Sequence, residues 1–306
     1  MKKGILSFLI FTLFLSACTS SNASSSENPD PDATPRTTVT SPRQNSADGA
    51  MRLSSSDSLI TLDYSHTEDG YVMIESTGSE RCQIQITNPD GELYPYPLKP
   101  GQNEAFPLTK GNGTYQVVVL QQVSDNNYAI ALSQNIDVTL SDEFEPFLYP
   151  NQYVSYTPQS KAVALSEKLS DQSTSDLSFV QNVYDYVISH ITYDDAKAEN
   201  TPSDYIPDID ETLSSGKGIC FDYAALMSAM LRCQEIPTKL EVGYSGDVYH
   251  AWISVYLKET GWVNNIISFD GKNWTIMDPT LGANNDARDV RKYVGDGKNY
   301  QTKYIY

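Results

Sequence analysis

Residues 216–232, GKGICFDYAALMSAMLR, contain a helix with almost no polar face: Ala224, Ala225, Leu226, Met227, Ala229, Met230 and Leu231 cover nearly every side of it. A helix that is apolar nearly all round has to be enclosed by other elements. The chain must therefore wrap further helices or a sheet around this one, and Pro237 closes the region.

The flanks supply both. Upstream, LSFVQNVYDYVISHI places Leu177, Val180, Val183, Tyr184, Val187, Ile188 and Ile191 on one helical face, with Ser175 as its N-cap. Downstream, TKLEVGYS, HAWISVYL, GWVNNIISF and NWTIMD read as strands. Helices followed by an antiparallel sheet predict an α+β domain over residues 146–306. Before it, residues 57–145 carry short alternating runs such as YVMIES, CQIQITN and TYQVVVLQQ, separated by the turn signals NPDGE, KPGQN and KGNGT. That pattern predicts a small all-β sandwich, with Cys82 filling its core beside Ile84 and Ile86.

The N-terminus reads as a targeting segment. Lys2 and Lys3 precede the apolar run GILSFLIFTLFLSA, which is short for a membrane span and fits a signal peptide over residues 1–17. LSAC, ending at Cys18, resembles the lipobox of bacterial lipoproteins, which implies lipidation of Cys18 and an anchored protein on the extracytoplasmic face of the membrane. Residues 18–56, rich in Ser, Thr, Pro, Asn and Asp, predict a disordered tether. Formal charge is −18, and losing residues 1–17 with their two lysines takes it to −20. Such a charge argues against nucleic acid or anionic lipid as partners held by electrostatics.

With Cys18 acylated, Cys82, Cys220 and Cys233 remain, an odd number. Cys220 and Cys233 lie on one predicted helix, 13 residues apart. That is about 20 Å, beyond any disulfide. Cys220 stands where a glycine-punctuated loop becomes the buried helix, and helix N-termini favour a thiolate, the nucleophilic form. Gly216 and Gly218 would leave room for an approaching group. The chain has three histidines, and His250 opens a predicted strand 30 residues later. Neutral imidazole suits a general base for a thiol. Asp278 ends the strand NWTIMD a further 28 residues on, where a carboxylate could orient that imidazole.

At these positions the sequence resembles the transglutaminase-like superfamily, whose core has a papain-like cysteine-protease fold. The matching pieces are GKGICFDYAALMSAMLR, IPTKLEVGY, HAWISVYL and WTIMDPT, in that order, with ITYDD (Ile191 to Asp195) as a further match upstream. The resemblance spans about residues 160–285. It implies Cys220 as nucleophile, His250 as base and Asp278 as orienting acid, acting by acyl transfer on amide bonds without a cofactor. ETGWVNNIISFDGK is longer than the turn many members have between the His and Asp strands.

The other candidates have simpler roles. His190 ends a helix, His66 falls in the β region, and Cys233 lies at the far end of the catalytic helix. Asp222, in the first helical turn, complements the dipole or organises the loop beside the site. Trp252 shares a strand face with His250, so it either contacts substrate or packs in the core; Trp262 and Trp274 are open to the same two readings. No His/Cys cluster or calcium-loop spacing points to a metal. The expected substrate is a protein or peptide, cell-wall peptide included. Hydrolysis competes with crosslinking, and both compete with a catalytically inactive binding or scaffold protein of the same fold.

Overall fold

A computed structural model describes residues 36–263 and 300–306, together with the backbone of two short strands at Ser268–Phe269 and Trp274–Thr275. The signal-peptide segment, Cys18 and Asp278 lie outside the described residues.

The first half of the chain is all β, as its alternation predicts. In chain order the strands are β1 (Arg52–Ser54), β2 (Ile60–Asp63), β3 (Tyr71–Ser76), β4 (Cys82–Thr87), β5 (Leu93–Leu98), β6 (Asn103–Pro107), β7 (Gly113–Ser124) and β8 (Asn127–Val138). They form two four-stranded antiparallel sheets, ordered β1-β2-β3-β6 and β5-β4-β7-β8. Every second residue points inward. Ile60, Leu62 and Ile74 of one sheet and Ile84, Ile86 and Val117 of the other are buried in one cluster, with Cys82 among them.

The second half begins with helices α1 (Lys161–Asp171) and α2 (Asp176–His190). Ser175 caps α2, its side chain accepting from the Ser178 amide as its identity predicts. Then come β9 (Thr192–Tyr193), α3 (Asp195–Asn200), α4 (Ile209–Ser215), β10 (Lys217–Gly218) and α5 (Cys220–Arg232). Strands β11 (Thr238–Ser245), β12 (Val248–Leu257) and β13 (Gly261–Val263) follow, then β14 (Ser268–Phe269), β15 (Trp274–Thr275) and β16 (Tyr300–Ile305). The main sheet here is antiparallel and ordered β13-β12-β11-β16. Helix α5 packs on β11 and β12 on one side and on α1, α2 and α4 on the other. That enclosure is what its apolar circumference requires. Its far end is pinned by fully buried Arg232, which donates to the carbonyls of Thr238, Tyr149 and Tyr306.

Two features of the packing add to the expected division of the chain. The boundary drawn near residue 145 is not a gap in packing: residues from both halves belong to one buried cluster. The seam is aromatic, with Tyr94 on Tyr304 at 5.1 Å and Tyr96 on Tyr306 at 5.6 Å and on Tyr153 at 5.9 Å. Tyrosine buries a large ring while keeping a polar tip, so these residues read as neutral in a hydropathy pattern yet join two layers. Nor is all of 18–56 a free tether. Arg36 is nearly buried, donates to Asp176 at 2.7 Å, to the Ser170 hydroxyl at 2.6 Å and to the Gln234 carbonyl, and lies 4.5 Å over the Phe179 ring. Arg43 bonds Glu145 and Glu235. A segment poor in apolar residues is held here by charge and ring contacts, which composition alone does not register.

Candidate active site

The approach to Cys220 is built by the ITYDD stretch. Strand β9 runs parallel to β10, pairing Thr192 with Lys217 and Tyr193 with Gly218. The Asp194 amide donates to the Gly218 carbonyl at 3.0 Å, and the Asp194 side chain caps α3 through the Lys197 amide. Gly216 ends α4 in the left-handed region, at φ 64°, which a residue with a side chain adopts poorly. Gly218 has a different reason to be glycine. A Cβ there would stand 2.7 Å from the Asp222 Cβ. The space expected for an incoming group is filled from within by Asp222.

Asp222 is fully buried, and both of its oxygens are used. One accepts from the Ile219 amide at 2.8 Å and from the Lys197 ammonium at 2.6 Å. The other accepts from the Tyr205 hydroxyl at 2.6 Å. Burial, then the bond to Asp222, pushes the Tyr205 phenol far above its ordinary value, so it stays a donor. The carboxylate at the third helical position thus returns to the N-cap amide and also ties α3 and the loop after it to the start of α5. The loop-organising role, the second of two readings for this residue, is the one observed.

Cys220, the first residue of α5, is partly exposed on a cavity of about 700 Å³. His250, on β12, lines the same cavity. Cross-strand pairing sets its place: His250 faces Gly243 of β11. The other cysteines are elsewhere and buried, Cys82 in the β half and Cys233 at the end of α5; burial raises both thiols, Cys233 to about 12. His190 hydrogen-bonds the Tyr186 carbonyl and stacks on its ring, and His66 stacks on Tyr71, both outside the cavity lining.

Neither Trp252 nor Trp262 is in the described lining of the cavity, and the side chain of Trp274 lies outside what the structure describes. Trp252 is 0% exposed; it packs its ring 6.3 Å from His250 and edge-on to Tyr300. Of the two readings for Trp252, its complete burial favours core packing beside the imidazole. Trp262 packs among Phe144, Phe147 and Tyr256 with the Lys239 ammonium 3.8 Å over its ring. The wall is tyrosine instead: Tyr193, Tyr205, Tyr244, Tyr249 and Tyr304, with Pro95 of the β half on the same cavity. Sequence reasoning passed over these residues. The available signal was the count, 21 tyrosines against 3 tryptophans.

Residues 163–266 match the family model of the transglutaminase-like superfamily. No curated protein matches the sequence. Among solved structures, a candidate cysteine protease of Cytophaga hutchinsonii is similar at 16% identity and TM-score 0.34, over 69% of this chain and 78% of that one. The periplasmic domain of TgpA from Pseudomonas aeruginosa is similar at 16% identity and TM-score 0.34, over 76% and 94%. Red sea bream transglutaminase is similar at 12% identity and TM-score 0.25, over 63% and 47%. The chain thus carries, over residues 163–266, a domain of the transglutaminase-like superfamily.

Proposed function

We propose that the protein is a thiol enzyme that hydrolyses amide bonds through Cys220, His250 and Asp278, held at the extracytoplasmic membrane face by a lipid on Cys18. The observation that carries this reading is that Cys220 and His250 open on one cavity inside a transglutaminase-like domain.

In the reaction, the Cys220 sulfur forms a bond to the amide carbonyl carbon while His250 holds the thiol proton. The amide of Cys220, at the first helical position, has no intrahelical carbonyl to bond and can donate to the oxyanion. Collapse breaks the C–N bond, and His250 passes its proton to the leaving amine. Water then adds to the thioester with His250 as base, the C–S bond breaks, and a carboxylic acid leaves. Asp278 keeps the imidazole in the tautomer this requires.

Water is favoured over an amine as acceptor because the wall residues Tyr244 and Tyr249 are 41% and 54% exposed. A crosslinking site needs a channel that excludes water while the thioester waits. The test is incubation of purified protein with envelope-derived peptides and a labelled primary amine. Amide cleavage exceeding amine incorporation, with both lost in Cys220→Ala, is the expected result. Incorporation outpacing cleavage refutes hydrolysis, and activity surviving in Cys220→Ala refutes the nucleophile.

A further inference from the structure

The described lining of the cavity differs in charge from the chain as a whole. The sequence has 39 acidic residues against 21 lysines and arginines, yet none of the described residues lining the cavity is an aspartate or glutamate. Its wall holds one lysine, Lys303. The one carboxylate built into the first turn of α5, Asp222, is already paired with Lys197. Among the described lining residues the one carrying a fixed charge is Lys303, and an exposed ammonium on a cavity wall suits an anionic group.

The backbone places Lys303 there deliberately. Strand β16 pairs Thr302 with Gly243 and Tyr304 with Val242, so Lys303 is the residue passed over in register. Such a bulge re-aims one side chain and bends the strand. The close approach needs glycine opposite: a Cβ at Gly243 would lie 2.0 Å from the Gln301 carbonyl oxygen. Gly243 is also the cross-strand partner of His250. The bulge therefore sits one strand from Gly243 and two from His250, about 10 Å across the sheet at ordinary strand spacing. A lysine side chain reaches about half that distance. Lys303 is exposed, makes no ion pair among the described residues, and rests its ammonium 5.0 Å from the Tyr304 ring centre, which holds it over the wall without neutralising it.

We infer that this site selects peptides bearing a free carboxylate close to the reacting amide, with Lys303 as the carboxylate anchor and the tyrosine wall as the surface for the adjoining residue. The inference rests on the reading of the cavity as a peptide site, and deepens it by naming the substrate class. The phenol faces of Tyr244, Tyr249 and Tyr304 offer flat, partly polar surface suited to a peptide plane or ring.

The experiment uses labelled peptides of three to five residues containing one aromatic side chain, each made with a C-terminal carboxylate and with a carboxamide. Binding is measured on Cys220→Ala protein, so turnover plays no part. The Cys220→Ala protein with Lys303 intact should bind the carboxylate forms about tenfold more tightly, the 1.4 kcal/mol step of one charge-assisted contact. Lys303→Gln should erase the difference, and Lys303→Arg should keep most of it. With active protein the same change should raise KM for the carboxylate peptide alone and leave kcat in place. Equal binding of the two forms, or a preference that survives Lys303→Gln, overturns the inference. A Lys303-dependent preference without any cleavage would keep it and refute the hydrolase reading; cleavage without a preference would do the reverse.

Discussion

Replacing Tyr205 with phenylalanine removes one oxygen from the knot that holds the cavity wall to helix α5. The lost contact is a 2.6 Å hydrogen bond to a carboxylate that is fully buried. A bond to a charged partner contributes about 1.5–3 kcal/mol, and the partner left behind is short of one donor. For a chain of this size that corresponds to a fall in Tm of about 3–5 °C. Asp222→Asn should cost more. Its amide would face the Lys197 ammonium or the Ile219 amide with a donor, and breaking a buried pair costs about 3–5 kcal/mol. Lys197 is 31% exposed and can turn to water, which places the cost at the lower end of that range. Function separates the two roles of the knot. The loop anchored by Tyr205 supplies Thr201, Pro202 and Ser203 to the cavity, so Tyr205→Phe should raise KM while Cys220 still alkylates at its parent rate. Thermal unfolding, peptide kinetics and iodoacetamide labelling are the assays. A Tyr205→Phe protein with unchanged Tm and unchanged KM would show that the bond does not secure the wall.

Iodoacetamide near neutral pH should modify Cys220 first, since burial holds the Cys82 and Cys233 thiols protonated; peptide mapping that finds either of those labelled first in folded protein refutes the assignment. Asp278→Asn should leave folding intact and lower turnover steeply by favouring the wrong imidazole tautomer, and near-parent turnover would point to another orienting group. Burial raises the Glu104 carboxyl, with a smaller opposing contribution from Gln152, so its protonated form is favoured in the fold. The stability this gives is present below the ordinary glutamate range and is lost as pH rises through the raised value, so Glu104→Gln should increase Tm at pH 7 and not at pH 4. Arg36→Ala should release residues 36–51 to proteolysis ahead of the rest of the protein, and a protected segment would mean that Arg43 alone holds it.

What could be read from sequence, and what could not, divides by the range of the interactions. The buried character of α5 was legible because it is written in consecutive residues, and so were the helix–sheet order and the α2 cap at Ser175. Cys220 and His250, named from the motif order, line one cavity, and Asp278 lies outside the described residues. The role of Gly218 was misjudged because its neighbour in space, Asp222, is four residues on and folds back into the gap. The seam between the halves depends on tyrosines up to about 200 positions apart, such as Tyr94 and Tyr304. No local pattern carries that information. The same holds for Arg36, whose partners at Ser170, Asp176 and Gln234 are 134, 140 and 198 residues away.

That arginine also sets a length. From Cys18 to Arg36 is eighteen residues, which fully extended reach about 60 Å; to the end of the expected tether at residue 56 is thirty-eight, or about 130 Å. With a lipid at Cys18, as proposed, the clasp at Arg36 halves the leash. The volume within reach of the anchor then shrinks about eightfold, and the effective concentration of the cavity near its own membrane rises in proportion. With the proposed lipid and activity, an enzyme held so short would work on material lying against the bilayer. Undoing the Arg36 contact would lengthen the leash as far as the second clasp, at Arg43.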